Sequence, residues 1–76
     1  MIPISSLTES DKGRWVIYHS ARSGTIQRGR LKSWRDPFIF VVYRCDDKWE
    51  DYERYTARPT SPEDLKFEGQ PITYYG

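Results

Sequence analysis

A chain of 76 residues, 37% apolar and 16% aromatic, makes one domain at most and is too short for a doubly wound nucleotide-binding fold, a βα barrel or a two-domain enzyme. Its net charge of +1 hides an asymmetry: residues 12–44 hold eight cations and one acid, residues 45–76 four cations and eight acids, a pattern that bears on partners rather than on fold. The longest apolar run, Phe38 to Tyr43, is far below the ~20 residues of a membrane helix, and the aromatic content is too high for a disordered tail.

Leu7 to Asp11 (LTESD) reads as a short helical turn, with Thr8 as its cap and Asp11 three positions later. Gly13 ends it. Residues 1–12 are expected to form an N-terminal arm ahead of a domain over residues 13–68. Arg14 to His19 reads as a first strand, because Trp15, Val16, Ile17 and Tyr18 are all strand formers. Ser20 to Gly24 is a polar loop. Thr25 to Trp34 reads as a second strand. Strict alternation puts Arg28, Arg30, Lys32 and Trp34 on one wet face and Gly29, Leu31 and Ser33 on the other. Gly29 inside that strand signals a bend or a close backbone approach.

Arg35-Asp36-Pro37 reads as a tight turn. Phe38 to Cys45 follows as the third strand, with Ile39, Val41 and Tyr43 on one face and Phe38, Phe40 and Val42 on the other. A strand apolar on both faces is central. Asp46 to Arg54 is a long acidic-aromatic connection. Trp49, Tyr52 and Tyr55, spaced by three, suit a helical turn; a ragged hairpin loop suits the same stretch. Tyr55 to Arg58 reads as a short fourth strand closed by Pro59. In Ser61-Pro62-Glu63-Asp64 a cap, a proline at the first helical position and two acids predict one turn of 3₁₀ helix. Leu65 and Phe67 then alternate with Lys66 and Glu68 in a last strand, and residues 69–76 form a tail.

Five short strands in a hairpin-rich order, with a 3₁₀ turn before the last, predict an all-β fold: a five-stranded small antiparallel barrel. Through Gly13–Tyr18 (GRWVIY), Gly29–Trp34 (GRLKSW), Phe38–Tyr43 (FIFVVY) and Thr60–Leu65 (TSPEDL), the chain resembles small proteins of phages and prophages. It also resembles the Src-homology-3-like barrels, which include Tudor and KOW domains. The resemblance implies a fold and assigns no activity to any position.

Candidate chemistry is sparse. One His and one Cys, His19 and Cys45, end the first and third strands. Nothing in the sequence lowers the thiol pKa as reactivity requires. A lone cysteine excludes an internal disulfide and suits a reducing cytosol. Met1 to Ser10 has no signal-peptide core, so a cytoplasmic protein is expected. Asp46-Asp47, Glu50-Asp51-Glu53 and Glu63-Asp64 lack calcium-loop spacing, and one Cys with one His cannot complete a zinc site. No cofactor, no metal and no enzymatic activity are expected.

Two binding patterns remain. Arg28, Arg30 and Lys32 with Trp34 place cations and an indole along one strand face, the ingredients of single-stranded nucleic-acid binding. The rival pattern is the set Trp34, Trp49, Tyr52 and Tyr55, since Trp and Tyr anchor protein interfaces. The resemblance to Tudor domains implies a further option, an aromatic cage for a cationic ligand built from Tyr18, Tyr43, Trp49 and Tyr55. Against each stands the simpler account that the rings fill the core, Tyr43 and Trp15 foremost. The leading expectation is a non-catalytic interaction module, phage- or prophage-derived, that binds a host or viral protein as a monomer or weak homo-oligomer. Nucleic acid is the alternative partner.

Overall fold

The computed structural model describes residues 1–20 and 22–69. Five strands, β1 (Trp15–His19), β2 (Ile26–Arg35), β3 (Phe38–Val42), β4 (Arg58–Thr60) and β5 (Leu65–Phe67), form one antiparallel sheet in the order β4-β3-β2-β1-β5. The fold is all-β. The only helices among the described residues are short 3₁₀ segments, and none is long and apolar enough to cross a membrane.

β3 is apolar on both sides, and the molecule is built around that fact. On one face Ile39 and Val41 pack with Val16, Leu31 and Leu65 and with Ile2 and Leu7 of the N-terminal arm. On the other face Val42 packs with Cys45 and Tyr52, flanked by Trp49, Tyr55 and Ala57. Ile2 is 1% exposed, and burying a side chain of that size stabilises by about 1.5–3 kcal/mol. The arm is therefore part of the core.

The sheet is not closed into the expected barrel. β4 and β5 are its two edges and do not pair with each other. Each is three residues long. Ser61 and the 3₁₀ turn Pro62–Asp64 separate them, and the Pro62 carbonyl accepts the Ile2 N–H at 3.0 Å. The N-terminal arm occupies the seam that strand pairing would otherwise close.

Strict alternation fails in β2. Its register against β3 shifts between Leu31, opposite Val41, and Ser33, opposite Phe40. Lys32 is the extra residue of a β-bulge. Beyond the bulge the phase is inverted, so Trp34, opposite Ile39, joins the Leu31 face and packs against that core. Trp34 thus leaves the cationic face. Gly29 fulfils its expected role: a Cβ there would lie 2.5 Å from the Val42 carbonyl oxygen and 2.7 Å from Val41 Cγ1.

Further details differ from expectation or resolve it: β3 ends at Val42, not Cys45. β4 begins at Arg58, not Tyr55, and contains Pro59, opposite Phe40. A proline is tolerated there because an edge strand has one side without ladder bonds. The 46–54 connection is not a hairpin loop: Trp49–Arg54 is a 3₁₀ helix with a kink at Asp51. Thr8 precedes the turn Glu9–Asp11 as expected, and the Asp11 carboxylate accepts its N–H at 2.9 Å, whereas the Ser61 side chain makes no capping bond. Of the expected tail, residues 70–76 lie outside the described residues.

Candidate functional site

The basic strand face is largely committed to internal contacts. Arg30 donates from Nε to the Gly13 carbonyl at 2.7 Å and from a terminal nitrogen to the Trp49 carbonyl at 2.8 Å. Its guanidinium stands 4.4 Å from the centre of the Tyr52 ring and 5.5 Å from that of Trp15. Lys32 donates to the Tyr55 carbonyl at 3.0 Å. Arg28 pairs with Glu68 and lies 3.8 Å from the Trp15 ring centre. Arg30 and Lys32 thus fasten the Trp49–Tyr55 segment across the sheet. A guanidinium suits this task because its rigid fork reaches two carbonyls while its face stacks on a ring.

The chain comes back over that face through a tight turn. Asp46 and Asp47 both have positive φ, 50° and 65°, and the Lys48 N–H donates to the Cys45 carbonyl at 2.7 Å. Two left-handed residues in succession make the sharp reversal of a type I′ turn.

The aromatic set expected to bind protein divides accordingly. Tyr52 is buried. Trp49 packs against Trp15 at a tilt of 59° with centroids 4.7 Å apart, and Tyr55 is half-buried against the Val42–Tyr52 cluster. Trp34 sits on the opposite face, with Lys12 Nζ 5.6 Å from its ring centre. The four do not form one patch. Of the cage set, Tyr18 and Tyr43 meet edge to face at 6.1 Å, and Tyr55 lies near Tyr43. Trp49 is held elsewhere by Trp15.

What the structure does bring together is a groove at the β3–β4 end of the sheet. Its wider part, about 500 Å³, is lined by Gln27, Tyr43, Arg44, Tyr55, Thr56 and Arg58. Gln27, Tyr43 and Arg58 continue into a second part that adds Tyr18 and Asp64. The Tyr43 hydroxyl is fixed by a 2.9 Å hydrogen bond with Thr60, and burial pushes its pKa up, partly offset by that bond. Arg44 and Arg58 are exposed, and no hydrogen bond or ion pair engages either guanidinium among the described residues, although the Arg58 carbonyl accepts from the Thr60 hydroxyl at 3.3 Å. Sequence reading does not single out this pair. The signal lies in the β3–β4 pairing: with Val41 opposite Arg58, the residues just beyond β3 and just before β4 must share one rim.

Other depressions lie elsewhere on the surface. One, lined by Ile17, His19, Ile26 and Lys66 beside Met1, also takes in the acids Glu63 and Asp64, and its Ile26 is 67% exposed. Another lies between the N-terminal arm and Phe38. His19 belongs to the first, whereas Cys45 is buried beside Val42 and Tyr52, so the two do not make a pair. Desolvation raises the Cys45 pKa, and the Asp47 and Asp46 carboxylates push it the same way. No acid cluster suited to a metal ion occurs among the described residues. No protein-family model matches the chain, and no curated protein or solved structure matches it significantly.

Proposed function

We propose that this chain is a non-catalytic interaction module that docks a segment of another protein in the groove between Tyr43, Tyr55 and Arg58. The observation that carries this reading is the pair Arg44 and Arg58, exposed and uncommitted beside half-buried rings, while Arg30 and Lys32 are committed to internal carbonyls. Aromatic rings with adjacent arginines are the side chains that dominate protein interfaces. The burial of the Cys45 thiol and its separation from His19 support a role without catalysis.

The sheet is of the Src-homology-3-like type in this proposal. Support comes from β5 lying beside β1 and from the 3₁₀ turn that leads into the last strand. A phage or prophage origin, with action on a host or viral protein in the bacterial cytoplasm, extends the resemblance of the GRWVIY, GRLKSW, FIFVVY and TSPEDL segments.

The test is selection of binders from a displayed random-peptide library, followed by mapping of amide shifts in the labelled protein. Perturbations are expected at Gln27, Tyr43, Arg44, Tyr55, Thr56 and Arg58. An absence of binders, or perturbations centred on Ile17 and Ile26, refutes the reading.

A further inference from the structure

Resting on that docking reading, we infer that the groove takes an extended peptide segment with ordered charge: a carboxylate side chain at one end, an apolar or aromatic centre, and a cation at the other. The order follows from the lining. Arg44 stands at the wide end with Tyr55 and Thr56, where no acid contributes to the wall, while Arg58 and Gln27 line both parts. Two guanidiniums beside hydroxyl and carboxamide groups present donors to a carboxylate. Tyr43 lies in the middle, shared by both parts, with Tyr18 edge-on to it. Asp64 stands in the narrower part, where Arg44 is absent. The ligand's charges are the complement of this sequence.

The same lining argues against a nucleic-acid strand. Phosphates are uniformly negative along a backbone, and a strand is bound by cations that track it. Here Arg44 lies at one end only, Arg58 lines both parts, and the carboxylate of Asp64 would face a phosphate at the other end. A segment of protein can alternate its charge within a few residues, and its extended rise of ~3.3 Å per residue lets a short stretch meet Arg44 and Asp64 together.

The test uses synthetic copies of a library-selected peptide: the parent, a version with all acids changed to amides, a charge-reversed version, and a (dT)9 oligonucleotide. Fluorescence anisotropy is read on the wild type, Arg44→Glu, Arg58→Glu and Asp64→Lys, with circular dichroism to confirm folding. The parent should bind the wild type at least about fivefold more tightly than either altered peptide. The two Arg→Glu variants should lose that preference, and Asp64→Lys should weaken binding of the parent's cationic end. If the amide version binds as well, with shifts still in the groove, the charge order is overturned while the docking reading stands. If (dT)9 binds more tightly than the parent, with shifts in the groove, both are overturned in favour of nucleic acid. If library selection gives no groove binder at all, both likewise fall.

Discussion

Replacing Arg30 tests whether the basic strand face is a fastening or a binding surface. Arg30→Met keeps the apolar stem and removes the guanidinium. Two charge-assisted hydrogen bonds disappear, to the carbonyls of Gly13 and Trp49, each worth ~1.5–3 kcal/mol. Two ring contacts, with Tyr52 and Trp15, add ~0.5–1 kcal/mol each at partly exposed sites. The contributions are not additive, and water can reach carbonyls at a half-buried site, so a net loss of about 3 kcal/mol is expected. A domain of this length has a total stability of ~4–11 kcal/mol, so the loss is a large fraction of the whole. Arg30→Lys should fall midway, because one ammonium lacks the fork that holds both carbonyls. The measurement is urea denaturation followed by tryptophan fluorescence. Near-UV circular dichroism should report the Trp15–Trp49 pair in parallel. A phosphate-binding surface arginine would change stability by no more than ~0.5 kcal/mol. A loss below about 1 kcal/mol for Arg30→Met would therefore refute the fastening role.

Further outcomes are expected at five residues. Gly29→Ala should cost about 2–3 kcal/mol in urea denaturation, since its Cβ would press on the Val42 carbonyl and the Val41 side chain; Gly24→Ala, open to solvent at φ +72°, should cost about 1 kcal/mol from backbone strain alone. Asp47→Gly should stabilise by about 0.5–1 kcal/mol, because glycine occupies the left-handed region of the Cys45–Lys48 turn without strain; an unchanged or lower urea midpoint would contradict it. Cys45 should react with a maleimide at pH 7.5 at least about 100-fold more slowly in the native protein than in urea, and stability should fall as pH rises past the unfolded thiol pKa, since the folded thiol ionises later. Asp11 is held below its ordinary value of 3.8, chiefly by the Thr8 N–H and then by Arg14, so its contribution is present above that value and is lost as pH falls through the folded one; Asp11→Asn should flatten the acid limb of the stability curve.

Four of the five strands are legible because each carries its own pattern, whereas β4, expected over Tyr55–Arg58, runs Arg58–Thr60 through Pro59. β1 and β3 are dense in β-branched and aromatic residues, and Pro62 with two acids behind it marks a 3₁₀ turn without reference to anything distant. The facing of Trp34 was not legible. One bulge at Lys32 inverts everything after it, and a bulge is set by how β2 meets β3, not by a residue that announces it. The open sheet was hidden for a similar reason. Five strands of these lengths suit a barrel, and only the docking of Ile2 and Leu7 into the core shows that the arm, not a fifth pairing, covers the seam. At the site, aromatic and cationic residues were easy to find but hard to apportion. An arginine that holds carbonyls and one that waits for a ligand look alike in sequence; they differ in whether a backbone segment lies across them.

That difference also accounts for the fate of the charge asymmetry. The acids of the 45–76 half do little to neutralise the basic half. Among the described residues, two of the ion pairs are local, Lys12–Glu9 and Arg14–Asp11, and only Arg28–Glu68 joins the halves. Asp46, Asp47, Glu50, Asp51 and Glu53 remain exposed on the segment that Arg30 and Lys32 hold from beneath. These acids stay outside because the cations bind the segment's carbonyls. The turn at Asp46–Asp47 sends the acidic ridge over one face of the sheet, while Arg44, one residue before it, and Arg58, just beyond Ala57, remain at the rim. Net charge near zero is thereby divided into an acidic ridge and a basic groove end. Neutralising the ridge with Glu50→Gln and Glu53→Gln should leave groove binding within about twofold at physiological salt, where fields from exposed charges fade beyond ~8 Å. A larger change would mean that the ridge itself touches the ligand.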